Sequence, residues 1–291
     1  MSAVSVREGS LLSILQAIVL GITQGVTEFA PISSSGHLIL VPWLFEWPIL
    51  NDAALNKTFD VALHVGTLVG ALFYFRRDVA RYLAAWVRSI RRRGVADADE
   101  RIAWALVIGT IPGVLIGATL ERVIQEELGQ PWLIASMLVV FAVVLFVVDR
   151  AASTRRHLGD VTVARGWWLG VAQAVALQPG VSRSGVTITA ARAMGFDRPT
   201  AARFSFLLSL PIIAGAGVYK GLDVVREGIP AGMGGAFLAG TIASAVSGFL
   251  VIAFLLSYLR RRDFTVFLWY RLAIAAISFG VIAAGARPGT L

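Results

Sequence analysis

Two short polar segments stand out in a mostly apolar chain of 291 residues. The first reads Gln24-Gly25-Val26-Thr27-Glu28-Phe29-Ala30-Pro31-Ile32-Ser33-Ser34-Ser35-Gly36-His37. Gln24 and Glu28 are four apart and share one helix face. A carboxylate, three hydroxyls and an imidazole therefore lie close together, the residue types of acid–base and nucleophilic chemistry. The second reads Gln178-Pro179-Gly180-Val181-Ser182-Arg183-Ser184-Gly185-Val186-Thr187. Hydroxyls and backbone N–H groups at a helix start favour phosphate. An arginine can grip it with two hydrogen bonds. Together the segments suit phosphoryl transfer, in which positioning and positive charge stabilise spread negative charge. A divalent cation with oxygen ligands, Mg²⁺ or Ca²⁺, would suit Glu28, Gln24 and a phosphate. The plainer alternatives are that Glu28 caps a helix, that the serines satisfy backbone, and that Arg183 neutralises Glu28 as a structural ion pair.

The elements that must hold these groups are membrane helices. The chain is 57% hydrophobic and only 15% charged. Residues 103–120, 132–148, 204–219 and 229–259 contain no Asp, Glu, Lys or Arg. A bilayer core needs roughly 20 apolar residues per helix, and a buried helix of a soluble protein does not explain so many such runs. Cysteine is absent, which excludes disulfides, thiol catalysis and Cys-based metal sites. The net charge of +8 sits mostly in Arg-rich loops and sets topology rather than binding nucleic acid. Residues 1–10 carry one Arg and one Glu and do not read as a cleaved signal peptide.

Complete spans are predicted near 59–76, 102–121, 132–149, 203–220, 233–258 and 266–286. Residues 11–47 and 166–196 are instead broken in the middle by Pro, Ser and Gly. Irregular backbone at membrane depth survives only where protein or a water-filled cavity satisfies it, so each reads as a re-entrant helix hairpin. At an offset of 149, Gly21, Gln24, Ser33, Ser35 and Gly36 fall on Gly170, Gln173, Ser182, Ser184 and Gly185. Gly109-Thr110-Ile111 likewise resembles Gly240-Thr241-Ile242. The expected fold is an all-α polytopic membrane protein. Its single membrane domain contains two inverted-topology repeats, 11–149 and 166–286, each a hairpin plus three transmembrane helices. Broken helices at equivalent places in two repeats point to a binding site. The Arg-rich loops 76–101, 150–165 and 260–262 fall on one side, the cytoplasmic one, and the loops around 121–127 and 223–227 fall on the other. Both termini are then outside, and the hairpins enter from opposite faces.

The two polar segments closely resemble the two signatures of the bacterial undecaprenyl-diphosphatase family, the bacitracin-resistance proteins. The resemblance runs over nearly the whole chain. It implies hydrolysis of undecaprenyl diphosphate to the monophosphate and phosphate at the outer face of the bacterial cytoplasmic membrane, recycling the lipid carrier of peptidoglycan synthesis. It implies Ser34 as nucleophile, His37 as its proton acceptor or as the acid for the leaving phosphate, and Glu28 as metal ligand or orienter of His37. Arg183 is implied as the diphosphate clamp, with Ser33, Ser35, Gly180, Ser182, Ser184 and Thr187 assisting. The family's acidic motif is Glu or Gln, three residues, then Glu. Gln24 takes the first place here, which leaves Glu28 its only carboxylate. Asp60 and His64 are second-rank candidates for the cavity mouth, with an ion pair or cap as the alternative. Trp43, Trp47, Trp132, Trp167 and Trp168 read as interfacial belts. The expected partner is a polyprenyl diphosphate lipid in the bilayer, with no nucleic acid, and homodimerisation is left open. The rival function is a flippase or transporter of polyprenyl phosphate, which needs Arg183 but not a Ser34/His37 pair.

Overall fold

The computed structural model describes residues 12–126 and 128–291, so the reading of residues 1–10 lies outside the described residues. The described residues form eleven α-helices. These are α1 (Ile14–Phe29), α2 (Ser34–Leu44), α3 (Ala53–Tyr74), α4 (Arg76–Arg92), α5 (Ala98–Glu126), α6 (Pro131–Ala151), α7 (Val163–Val175), α8 (Arg183–Ala193), α9 (Arg198–Glu227), α10 (Gly234–Tyr258) and α11 (Thr265–Ala283). Five of them, α5, α6, α9, α10 and α11, are long and apolar enough to cross a bilayer. The sixth expected span, α3, runs 22 residues and turns by 82° into α4. The protein is a multi-pass helical membrane protein.

The two interrupted segments are helix pairs, α1 with α2 and α7 with α8. Ser13 starts α1 through a capping box with Gln16. At the breaks, Ser33 caps α2 and Ser182 caps α8, each accepting from the backbone N–H three residues on. Both serines have φ of +76°. A left-handed conformation costs a non-glycine residue about 1–3 kcal/mol. It persists at both breaks because cap bonds and contacts between the tips hold it.

Close backbone approaches set the helix spacing. A Cβ on Gly21 of α1 would lie 2.3 Å from the Gly240 carbonyl oxygen of α10, and one on Gly170 of α7 would lie 2.1 Å from that of Gly109 in α5. Such small-residue contacts replace the hydrophobic effect as the packing force between helices in lipid. Gly170→Val is therefore expected to push α7 from α5 and to destabilise the fold by about 1–3 kcal/mol or more. A lowered midpoint of thermal unfolding in detergent checks this. At the far end of α6 the buried Asp149 holds Arg192 of α8 at 2.7 Å and Arg198 of α9 at 2.8 Å, which anchors the base of the second hairpin.

Two sequence expectations change. The Arg-rich stretch 76–101 is not a loop, because α4 fills most of it. Tyr82, Ala85 and Ser89 recur at helical spacing and face inward, while Leu83, Val87 and Ile90 stay exposed beside the arginines. That is the pattern of a helix lying in the membrane interface. The acidic stretches near 121–127 and 223–227 are also not loops, since α5 continues to Glu126 and α9 to Glu227.

Candidate active site

The tips of the two helix pairs meet and bond directly to each other. The Gly180 N–H donates to Ser33 Oγ at 3.0 Å, and Ser184 Oγ donates to the Ala30 carbonyl at 3.0 Å. Gly180 has φ of +94°, and a Cβ there would lie 2.6 Å from the Ile134 carbonyl oxygen, so this turn requires glycine. Arg183, the first residue of α8, reaches across with Nη2. It donates to Glu28 Oε1 at 2.9 Å and to the Glu28 carbonyl at 3.2 Å. Its Nη1 donates to the Ser205 carbonyl at 3.1 Å. The ion pair foreseen as an alternative thus exists, and it sits on the floor of a cavity.

That cavity has a volume of about 810 Å³. Glu28, Ser33, Ser34, Ser35 and Arg183 form its polar floor, and Lys57, Asp60 and His64 line it from one face of α3. Ile39, Leu50, Ile212 and Ile213 supply apolar wall. A charged headgroup on an apolar tail matches such a mixed lining.

Glu28 is the hub. Its Oε2 accepts from Ser34 Oγ at 2.6 Å and from Gln24 Nε2 at 3.0 Å. His64 Nε2 stands 3.7 Å from the same oxygen. Ser34 Oγ is therefore hydrogen-bonded to a carboxylate, the geometry that readies a hydroxyl for attack.

The expected Ser34/His37 pairing is not formed. His37 is buried, and its Nδ1 donates to the Ser33 carbonyl at 2.7 Å. The neutral ring then has its acceptor at Nε2, which lies 3.0 Å from the Tyr270 hydroxyl. The two rings stack at 5.6 Å. Both nitrogens point away from Ser34, and Glu28 does not orient the ring. His64 has the opposite geometry. Its Nδ1 donates to the Asp60 carbonyl at 2.8 Å, which fixes the tautomer and leaves Nε2 facing Glu28 in the cavity.

Of the other expected contacts to substrate, Ser35 is exposed on the cavity floor. Ser182, Ser184 and Thr187 are buried behind it instead. Ser182 Oγ and Ser184 Oγ are 3.2 Å apart, and Thr187 Oγ1 lies 2.6 Å from Ser205 Oγ. These hydroxyls build the tip that carries Arg183.

Sequence reasoning missed Arg271. It is fully buried in α11 and donates to Pro31 in the first tip, to Gly180 and Val181 in the second, and to Met137 and Leu138 of α6. One guanidinium so holds both tips against α6. The signal was available, because an arginine inside an apolar span marks function by default.

For a divalent cation the donors are few. Among the described residues no group of three His, Cys, Asp or Glu could hold a metal. Gln24 turns its nitrogen, not its oxygen, toward Glu28, and Oε1 stays buried without a partner.

The described residues thus define a multi-pass membrane protein with a hydroxyl, a carboxylate and a guanidinium on the floor of one cavity. Residues 17–277 match the family described as Bacitracin resistance protein BacA. The undecaprenyl-diphosphatase of Pelobacter propionicus is 43% identical over 275 residues, covering 94% of this chain and 99% of that protein. That of Geobacter sulfurreducens is 48% identical over 262 residues, covering 90% and 95%. That of Pelotomaculum thermopropionicum is 45% identical over 278 residues, covering 96% and 100%. The chain belongs to the bacitracin resistance protein family.

Proposed function

We propose that this protein is an integral membrane phosphatase that hydrolyses undecaprenyl diphosphate to undecaprenyl phosphate and phosphate, recycling the lipid carrier of cell-wall synthesis. The observation that carries the reading is the 2.6 Å bond from Ser34 to Glu28, with Arg183 on the other carboxylate oxygen. The named activity of the relatives supports it. In the proposed step Ser34 Oγ passes its proton to Glu28 Oε2 and bonds to the terminal phosphorus. The bridging P–O bond breaks, and the lipid monophosphate departs with that electron pair. Glu28 gives that proton to the departing monophosphate, so its carboxylate can take a proton from water as water attacks the phosphoserine. The P–Oγ bond breaks, Ser34 Oγ regains the proton from Glu28, and phosphate leaves. Arg183 binds the diphosphate charge from the same floor. Glu28 would be the protein ligand of Mg²⁺ or Ca²⁺, since Mg²⁺ often uses one carboxylate plus substrate phosphates. When bound it would neutralise phosphate charge.

His64, rather than His37, is placed to exchange protons with Glu28 through Nε2. His64→Gln is expected to lower kcat by about 10²-fold, in the usual range for acid–base groups. Its effect on KM is expected to be small. A larger loss on KM than on kcat would assign His64 to binding.

The reading includes two inverted repeats, 11–149 and 166–286, in one membrane domain. The matched φ of Ser33 and Ser182 supports it. So does the packing, because Gly21 meets Gly240 while its counterpart Gly170 meets Gly109, the counterpart of Gly240. It places the site at the outer face of the bacterial cytoplasmic membrane, with both termini outside and the hairpins entering from opposite faces. The inverted arrangement also favours a second reading, a polyprenyl phosphate flippase. The test is phosphate release from undecaprenyl diphosphate by purified protein in detergent with Mg²⁺ or Ca²⁺. Release that is lost on chelation and in Glu28→Ala supports the phosphatase. Lipid movement across liposomes without release supports the flippase.

A further inference from the structure

A second polar cavity, of about 390 Å³, lies at the other end of α6 from the first. The active-site cavity reaches Gln130, just before α6, whereas this one is lined by Ser153, just after it. The 21 residues of α6 place the two about 30 Å apart, one bilayer core. Three arginines line it, Arg155, Arg156 and Arg165, against one carboxylate, Asp160.

The loop that carries these charges is fixed. The backbone N–H groups of Arg155 and Arg156 both donate to the Gly195 carbonyl, at 3.1 and 3.0 Å, and the Asp197 N–H donates to the Arg156 carbonyl at 3.0 Å. Gly195 has φ of +86°, and a Cβ there would lie 3.1 Å from Ser153 Oγ and 3.5 Å from Arg156 Nη1, so a side chain would intrude on the cavity wall. The Asp160 carboxylate accepts from the His157 N–H at 2.8 Å and is spent on the turn. Arg165 donates instead to the Asp160 main-chain carbonyl, and Arg156 to that of Met194. Among the described residues none of the three arginines is paired with a carboxylate. Trp167 and Trp168 follow Arg165 on α7 and are exposed. Exposed tryptophans sit at the level of lipid headgroups.

We propose that this cavity is a binding site for the phosphate headgroup of an anionic phospholipid, on the membrane face opposite the phosphatase site. The volume suits a small ligand, the uncompensated guanidiniums match phosphate, and the tryptophans place the site at headgroup depth. The proposal does not depend on the phosphatase reading.

The test is native mass spectrometry of the full chain released from vesicles of equal phosphatidylglycerol and phosphatidylcholine. Wild type is expected to retain phosphatidylglycerol selectively. R155Q/R165Q should lower that retention about tenfold, and R155Q alone, which spares every side-chain hydrogen bond described, should lower it by several-fold. The control is R260Q/R261Q, which removes two exposed charges from a loop at the same end of α6, where Arg150 bonds Asp263. It should leave retention unchanged. Equal retention in wild type and R155Q/R165Q overturns the proposal. So does an equal loss in the control, which would show generic surface charge, and so does displacement of the lipid by millimolar inorganic phosphate, which would show a free-phosphate site.

Discussion

Ser34→Ala is expected to lower phosphate release by about 10³-fold or more, with the fold intact, because removing an activated nucleophile leaves only binding and electrostatic help. Ser34 Oγ is the hydroxyl donor to Glu28 at 2.6 Å. Its removal deletes one hydrogen bond from a partly exposed residue, so stability should change by about 1 kcal/mol. Ser35 provides the contrast. It lines the same cavity one residue on, but is exposed and makes no bond to Glu28. Ser35→Ala should cost at most about tenfold, the scale of one hydrogen bond to the substrate. Phosphate label trapped on the protein during turnover should appear in wild type and vanish in Ser34→Ala. Label that persists in the variant would move the nucleophile elsewhere. Glu28→Gln differs in kind. It removes the proton acceptor and also strands Arg183, 15% exposed, without its counter-charge. It should lose both activity and stability, by about 3–5 kcal/mol for a broken buried pair.

The second large effect belongs to a residue that does not line the cavity. Arg271→Met is expected to destabilise the protein by about 4 kcal/mol or more and to abolish activity even in the fraction that remains folded. Arg271 donates to five carbonyls in three separate segments, with distances from 2.8 to 3.3 Å. Methionine fills similar space but removes the donor from the Pro31, Gly180 and Val181 carbonyls, which lie outside the helices, each costing about 1–3 kcal/mol where water cannot reach. Met137 and Leu138 keep their bonds within α6. Two of them, Gly180 and Val181, belong to the turn that leads into Arg183. Their release should shift the guanidinium that faces the substrate. Arg271→Lys keeps the charge but has three donors for five acceptors, so partial stability with low kcat is the expected result. Thermal unfolding in detergent and kcat per folded molecule separate the two effects. Full activity in Arg271→Met below its unfolding temperature would refute the positioning role.

The helices of the bundle were legible because apolar length and Pro/Ser/Gly interruptions are local signals. The site was legible in its members but not in its wiring. Spacing places Ser34 and His37 one turn apart on α2, yet cannot say which way an imidazole turns. Tyr270, 233 residues distant, decides that by bonding Nε2. His64 reaches Glu28 for a related reason, since α3 packs beside α1 only through tertiary contacts. Ser182, Ser184 and Thr187 look like phosphate ligands in a string of letters, but the tip folds them inward to support itself. The helix α4 was hidden by its arginines, whose density masked the inward spacing of Tyr82, Ala85 and Ser89. Arg271 was masked by the apolar span around it.

The bonds between the tips also bear on how the protein is made. Glu28 and Arg183 are 155 positions apart in the chain. At roughly 5–20 residues per second, a ribosome needs about 8–30 s to supply the arginine after the glutamate. During that interval the first hairpin has its carboxylate and its left-handed serine with their local bonds, but lacks the Arg183 and Gly180 donors of the second tip. The first half therefore enters the membrane as an unfinished surface, and the second half closes it. Hydrolytic competence is thus a late event in biogenesis. The two halves synthesised as separate polypeptides should be inert alone and active together.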